Sequence, residues 1–381
     1  MSNSERSQGL AGREYRLLSR CSADRIKSWI PLISILLLAL LLRLLRLDLF
    51  HTRDELVIWR WSDEFFVSLW NGDLVNSVFD SNYPGITIFW LQTLYNYLKY
   101  GLLWLTSGQA PDMMAIVNES HSFPFLAERR LVMGLATTAQ ILGIYALAAK
   151  AYNRRLALLM AFLIALDPFL LAESRVLRAE ALATGFMILS MMSWLVYLKE
   201  GNWVYLALSG VLAGWAILTK VSSGFLVPVI SLLFLFDVVL SRNGTRWMRF
   251  NLNVKRGVIW GGLAVFAFWV SWPTLWVNPS PPLETIFVRG IAQASQASTW
   301  SGDVFFAGRL IPNDPGLFFY PVAIAFRSTP VIWLGVGVAL ILFLRGLFQI
   351  GRTAERRVAG ASTDEDGPWS VVNLGVWFVY N

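Results

Sequence analysis

Stretches of roughly 20 predominantly apolar residues recur along the 381-residue chain, and each is about as long as a helix must be to cross a hydrocarbon layer of about 30 Å. A chain built this way folds with lipid rather than water as its main solvent. Its composition agrees: 56% of residues are hydrophobic and only 15% charged, with 18 Trp and 25 Phe, far more apolar than a soluble domain of this size needs. Spanning helices are expected near Trp29 to Leu47, Glu128 to Lys150, Leu156 to Ala172, Ala181 to Leu198, Trp203 to Thr219, Val221 to Leu240, Val258 to Val277 and Pro330 to Leu344. The fold class is therefore all-α and polytopic, with about 8 to 10 transmembrane helices. The division is a basic cytoplasmic tail over residues 1–28 and one membrane domain over 29–381.

The net charge of +7 would suit a nucleic-acid partner, but Lys and Arg fall in short segments between apolar stretches, which is the signature of membrane topology. With the N-terminus cytoplasmic, the basic segments Lys150 to Arg155, Lys199 to Asn202, Arg242 to Arg256 and Arg345 to Arg357 all lie inside. Two long segments, His51 to Ser122 and Asn278 to Arg327, then lie outside, and function is expected there. The single Cys21 allows no internal disulfide, and two His leave little material for a His-rich metal site. The apolar run after the tail is too long for a signal-peptide core and lacks a cleavage site. Val371 to Asn381 is apolar but too short to cross, so the chain is expected to continue beyond it.

The first outer segment opens HTRDELVIWRWSDEFFVSLW, with Asp54 and Glu55 just past the first helix. Val57, Ile58, Trp61, Phe65, Leu69 and Trp70 make an apolar face opposite Arg60, Asp63, Glu64 and Ser68, the pattern of a helix lying in the membrane interface. The two carboxylates then sit at headgroup depth, where a base can take a proton from an attacking hydroxyl. A structural reading stands beside this one: Thr52 and Glu55 form a T-x-x-E capping box, and Asp54 in the first turn suits the helix dipole. Because adjacent helix positions point about 100° apart, capping by Glu55 leaves Asp54 facing elsewhere.

Glu173, Arg175, Arg178 and Glu180 crowd the ESRVLRAE link between two apolar helices on the same outer side. Charges next to hydrocarbon are costly, so they pair with one another or line a wet cavity. Here Arg175 and Arg178 are candidates to hold a phosphate. The alternative is a network that only stitches the loop to its helices. Lys220, between two further helices, either binds phosphate as well or snorkels to headgroups. Arg43 and Arg46, near the outer end of the first helix, either contact phosphate or, as is more usual, snorkel to the headgroups. In the last outer segment, dense in aromatic, Gly and Pro residues, Arg309 and Arg327 are candidates to lie near phosphate or acceptor, with Trp272 near the interface; Tyr83-Pro84-Gly85 opens an apolar stretch read as interfacial or re-entrant.

In their order these landmarks resemble the GT-C membrane glycosyltransferases, in the branch of the dolichyl-phosphate-mannose protein mannosyltransferases and the bacterial aminoarabinose transferase. The early DE pair is matched by Asp54-Glu55, and the SR-x-x-x-x-acid pattern by Ser174, Arg175 and Glu180. Gly210, Gly214, Thr219 and Lys220 match the G-x-x-x-G-x-x-x-x-T-K run. The family's His-Pro helix start is replaced by Tyr83-Pro84, and Glu180 stands where Asp is usual. The resemblance implies an inverting transfer from a polyprenyl-phosphate sugar to a protein, lipid or glycan hydroxyl on the non-cytoplasmic face. It carries the role of base onto Asp54 and implies no cofactor and no metal. Catalytic candidates are thus Asp54 and Glu55, phosphate-binding candidates Arg175, Arg178 and Lys220, and further candidates Glu180, Arg309 and Tyr83. Membrane lipids are expected partners and nucleic acid is not. The competing readings are a polytopic transporter or flippase, disfavoured because the sequence shows neither paired repeats nor broken helices near the midplane while its outer loops are long, and a non-catalytic membrane scaffold.

Overall fold

The computed structural model describes residues 27–77, 85–112, 116–117, 123–239, 245–289, 292, 303–312 and 315–358. Tyr83, the tail before residue 27, and the stretch 371–381 lie outside the described residues. The described chain is helical apart from one antiparallel hairpin. In order the helices of at least 7 residues are α1 (Lys27–Leu44), α2 (Arg53–Trp70), α3 (Ile86–Ser107), α4 (Phe123–Ala151), α5 (Arg154–Leu166), α6 (Pro168–Ser174), α7 (Ala179–Glu200) and α8 (Trp203–Thr219). A 3-10 turn, Val221–Phe225, leads into α9 (Leu226–Val239), followed by α10 (Arg246–Val270), the hairpin strands β1 (Asp303–Phe306) and β2 (Arg309–Pro312), α11 (Phe319–Arg327) and α12 (Pro330–Val358).

By length and composition, four helical stretches among the described residues are fit to cross a membrane: Lys27–Leu44, Phe125–Ala151, Ala179–Glu200 and Val221–Val239. Two bent pairs, α5 with α6 at 63° and α11 with the first half of α12 at 110°, would bring the count to at most six if each pair formed one broken span. This is fewer than the eight to ten expected. Two of the expected spans differ for physical reasons. Trp203–Thr219 has only 17 residues; α10 begins at Arg246 and carries Arg249, Lys255 and Arg256 through its first half, so its apolar part alone is shorter than a bilayer. The protein is an all-α, multi-pass membrane protein.

The bend between α5 and α6 is written in the sequence as Asp-Pro. Asp167 accepts from the Leu170 backbone N–H at 2.9 Å and Pro168 sits at the first helical position, where its missing N–H costs nothing. What reads as one span from Leu156 to Ala172 is therefore two helices, and the second aims Glu173 and the following link toward α2.

The close packing of α8 on α10 depends on two glycines. A Cβ on Gly210 would lie 2.7 Å from the Trp260 carbonyl oxygen, and one on Gly214 2.3 Å from that of Ala264; no side chain fits there. This contact fixes the C-terminal end of α8, and with it Thr219 and Lys220. Thr219 is buried and its hydroxyl lies 2.6 Å from that of Thr87 on α3. A core of Ile58, Phe65, Phe89, Met133, Leu182 and Leu218 joins α2, α3, α4, α7 and α8 around that point.

Helix α2 forms where expected but is not split cleanly into a lipid face and a water face. Ile58 and Phe65 are buried, while Arg60 and Glu64 are exposed and paired at 3.6 Å. Asp63 and Ser68, expected on the polar face, are buried too. Asp63 turns inward because Arg129 of α4 lies beneath it, at 2.6 Å from its carboxylate. Trp272 is likewise buried in the core rather than at an interface. Arg43 does not snorkel: it is 2% exposed and donates to the carbonyls of Ala39 and Ala165.

Candidate functional site

Helix α2 begins at the end of the short link after α1, and its first turn is locked by Glu55. The Glu55 carboxylate accepts from the Thr52 backbone N–H at 2.8 Å and from the Thr52 hydroxyl at 3.2 Å, the capping box anticipated in the sequence. The same carboxylate takes a two-pronged hydrogen bond from Arg130, through Nε at 2.8 Å and Nη2 at 2.7 Å, and a fifth hydrogen bond from the backbone N–H of Leu177 at 2.9 Å. Glu55 has no exposed surface. Arg130 in turn donates to the carbonyls of Leu47 and Phe50, so one guanidinium ties the α1–α2 link to α4. Burial pushes the Glu55 carboxyl up, but the hydrogen bonds from Arg130, Thr52 and Leu177 together with the Arg130 charge outweigh it and hold the group below its ordinary range.

One residue earlier, Asp54 points out of this lock. Its side chain is 62% exposed and its carboxylate lies 3.4 Å from Nη2 of Arg178. Arg178 precedes α7 in extended backbone and sits among three carboxylates: Asp54, Glu173 at 3.6 Å and Glu180 at 3.6 Å. Lys220, at the C-terminal end of α8, reaches Glu180 at 2.7 Å. The other oxygens of Glu173 and Glu180 are buried and accept no hydrogen bond among the described residues.

The structure thus brings Asp54, Glu173, Arg178, Glu180 and Lys220, drawn from three separate stretches of chain, into one cluster. The Leu177 N–H on Glu55 and the Arg178 guanidinium by Asp54 put the DE pair and the ESRVLRAE link on the same end of the bundle. Arg175 is directed elsewhere: it donates to the carbonyl of Leu45 at the end of α1. Arg309 stands on β2 opposite Phe306, and among the described residues no ion pair or hydrogen bond joins it to the cluster. No group of three or more His, Cys, Asp or Glu among the described residues is placed to hold a metal ion.

Sequence reasoning passed over Arg129 and Arg130. Two adjacent arginines at the start of an apolar helix were a signal, since a charge so placed needs a partner. The partners are on α2: Arg130 pairs with Glu55 and Arg129 with Asp63. The side chains of both arginines are nearly fully buried, 2% and 3% exposed, and two turns of α2 are thereby held to α4.

The family model described as dolichyl-phosphate-mannose-protein mannosyltransferase matches residues 125–272, which supports the resemblance carried by the motif order. The matched stretch includes Arg130, Arg178, Glu180 and Lys220 but not Asp54. Similar solved structures include the oligosaccharyltransferase of Archaeoglobus fulgidus tethered to an acceptor peptide, at 13% identity and a TM-score of 0.46 over 83% of this chain and 44% of that one. The same enzyme in its apo form gives 17% identity and a TM-score of 0.42 over 91% and 41%. Its complex with an inhibitory peptide and a dolichol-phosphate gives 17% and 0.40 over 86% and 38%. This chain spans less than half the length of those solved structures. No curated protein matches it.

Proposed function

We propose that the chain is a membrane glycosyltransferase that moves a sugar from a polyprenyl-phosphate carrier to a hydroxyl acceptor, in an inverting reaction on the non-cytoplasmic face. The observation that carries this reading is the meeting of an exposed carboxylate, Asp54, with the cations Arg178 and Lys220 at one end of the bundle. Asp54 is the group with both access and orientation to accept a proton, as a general base must. As the acceptor oxygen forms its bond to the anomeric carbon, the bond from that carbon to the phosphate oxygen breaks. The electron pair leaves with the lipid phosphate, and the acceptor proton goes to Asp54. Charge growing on the departing phosphate is met by Arg178 and Lys220.

The ion pairs of Arg178 are long, between 3.4 and 3.6 Å, and partly exposed. Such pairs are worth little, so a phosphate can replace a carboxylate on Arg178 at small cost. Glu55 belongs to the support of the site rather than to its chemistry, because five donors already occupy its two oxygens. The family match over 125–272 agrees with the donor class; the sugar and the acceptor stay open.

The test uses reconstituted protein, a radiolabelled polyprenyl-phosphate sugar, and single-turnover transfer to a hydroxyl acceptor. Asp54→Asn is expected to lower the rate at least about 100-fold, the lower end for a general base, with folding intact. Transfer at the wild-type rate removes Asp54 from the reaction. Passage of the labelled lipid across the vesicle membrane without covalent transfer supports a transporter instead.

A further inference from the structure

The hairpin and α11 carry an apolar surface that the described helices do not cover. In the hairpin, Phe305 and Leu310 are direct cross-strand partners on one face, and both are about two-thirds exposed. The tight turn is made by Ala307 and Gly308, both at positive φ as a two-residue hairpin turn requires. The opposite face anchors the hairpin to α11 through Phe306 and Phe319, whose rings meet edge-on at 5.5 Å. At the start of α11 and along it, Phe318, Val322 and Phe326 recur every fourth residue as one exposed stripe, with Phe318 79% and Phe326 87% exposed.

The orientation of this surface follows from what comes next. α11 meets α12 at 110°. From Pro330 to Ile350, α12 offers 21 residues of mainly apolar sequence with Arg345 the one charge, about 31 Å of helix at 1.5 Å per residue. A helix of that length and composition stands across a bilayer with a tilt of about 20°. α11, turned 110° from it, then runs close to the membrane plane. Arg309 and Arg327 flank the apolar surface; among the described residues the one acid beside them is Asp303, at the hairpin's open end, and the sequence places a second, Asp314, between the hairpin and α11. Aromatic groups with flanking cations suit the headgroup boundary, where rings reach the acyl chains and guanidinium groups reach phosphates.

We propose that the β1–β2 hairpin and α11 form a membrane-docking element that lies flat in the headgroup layer, with a phospholipid surface as its partner. The Arg327 charge acts on Glu173, as the weakest of the influences on that carboxyl, which supports a place for the C-terminal end of α11 on the side of the charged cluster. Resting on the proposed transfer from a lipid phosphate, the docked element forms one side of the lateral entry by which such a donor leaves the leaflet for the site.

The test places single cysteines at Leu310, Phe318, Phe326 and, as an exposed reference, Asn71, in a Cys21→Ser background. Each is labelled with an environment-sensitive fluorophore and reconstituted in phosphatidylcholine vesicles. Labels at 310, 318 and 326 are expected to be shielded from iodide and quenched more by lipids carrying a nitroxide near the headgroup than at the chain end. The Asn71 label is expected to stay open to iodide. Iodide access at 318 and 326 equal to that at 71 overturns the proposal. Stronger quenching by the deep nitroxide overturns it in favour of a re-entrant segment, and shielding that appears only at high protein density overturns it in favour of contact between copies. Both α11 positions are so exposed that substitution leaves the core intact. In the second arm, Phe318→Ser with Phe326→Ser is expected to raise KM severalfold for a long-chain donor in vesicles while kcat and the KM for a water-soluble short-chain donor hold. An unchanged long-chain KM removes the entry role. Wild-type protein without transfer activity would defeat the proposed function alone, since the quenching result decides membrane docking independently.

Discussion

Two neighbouring carboxylates on α2 live in opposite surroundings. Glu55 is sealed between α4 and the link before α7, with each oxygen held by hydrogen bonds of 2.7 to 3.2 Å. Asp54 is mostly exposed and faces Arg178 at 3.4 Å across an open cluster. The same contrast separates the arginines: Arg130 is saturated and buried, while Arg178 is shared loosely among three acids. Fully satisfied buried charges fix geometry but cannot change partners without a large cost. Loose, partly wet pairs contribute little to stability and are free to exchange. In the proposed reaction this contrast separates scaffold from chemistry between adjacent residues, and the division can be attacked at either end.

The largest effect is expected on the buried side. Arg130→Met leaves Glu55 as an uncompensated charge in the interior, which costs about 3 to 5 kcal/mol; thermal unfolding in detergent should show it as a large loss of stability or of folded yield. Glu55→Met combined with Arg130→Met removes both charges and should recover much of that loss. If the single variant unfolds like the wild type, Glu55 is not locked and the contrast fails.

Acid sharpens the comparison at intermediate size. The folded pKa of Glu55 is depressed, so its contribution to stability is fully present above the unfolded value of about 4.3 and is lost as pH falls through the folded value. The Glu55→Met and Arg130→Met double variant should lose less stability than wild type over that acid window, measured by unfolding at matched pH. Equal acid sensitivity would mean that Glu55 is not the group responsible.

The smallest stability effect belongs to the open cluster. Arg178→Gln should change stability by no more than about 1 kcal/mol, as partly exposed pairs do, while weakening binding of a polyprenyl phosphate measured by equilibrium titration. A loss of stability as large as that of Arg130→Met would erase the distinction between the two regions.

Much of this architecture is legible in the sequence, and the part that is not has a common cause. α8 begins at Trp203 and ends at Thr219 as its apolar run predicts, and Asn202 caps it through the Val204 N–H at 3.0 Å. The Thr52 and Glu55 box also reads directly, because both partners are three residues apart. Arg130 does not, because its partner lies 75 residues away and helical periodicity carries no information about which charges meet across a bundle. For the same reason the link's two arginines look equivalent in sequence, yet Arg178 enters the cluster and Arg175 turns to the end of α1. Periodicity alone puts Asp63 on the water face, and the buried Arg129 overrides it. Among the described residues fewer stretches pass as spans by length and composition than expected, because basic residues shorten apolar runs, as in α10.

The central claim is that the DE pair, the link before α7 and the end of α8 face one shared compartment on a single side of the membrane. Asp54, Arg178 and Lys220, changed one at a time to cysteine in the Cys21→Ser background, can be exposed in sealed, oriented vesicles to a thiol reagent that does not cross the bilayer. The account predicts that all three are labelled from the same side and that a polyprenyl phosphate protects each of them. Labelling of Asp54→Cys from one side and of Arg178→Cys from the other would contradict it.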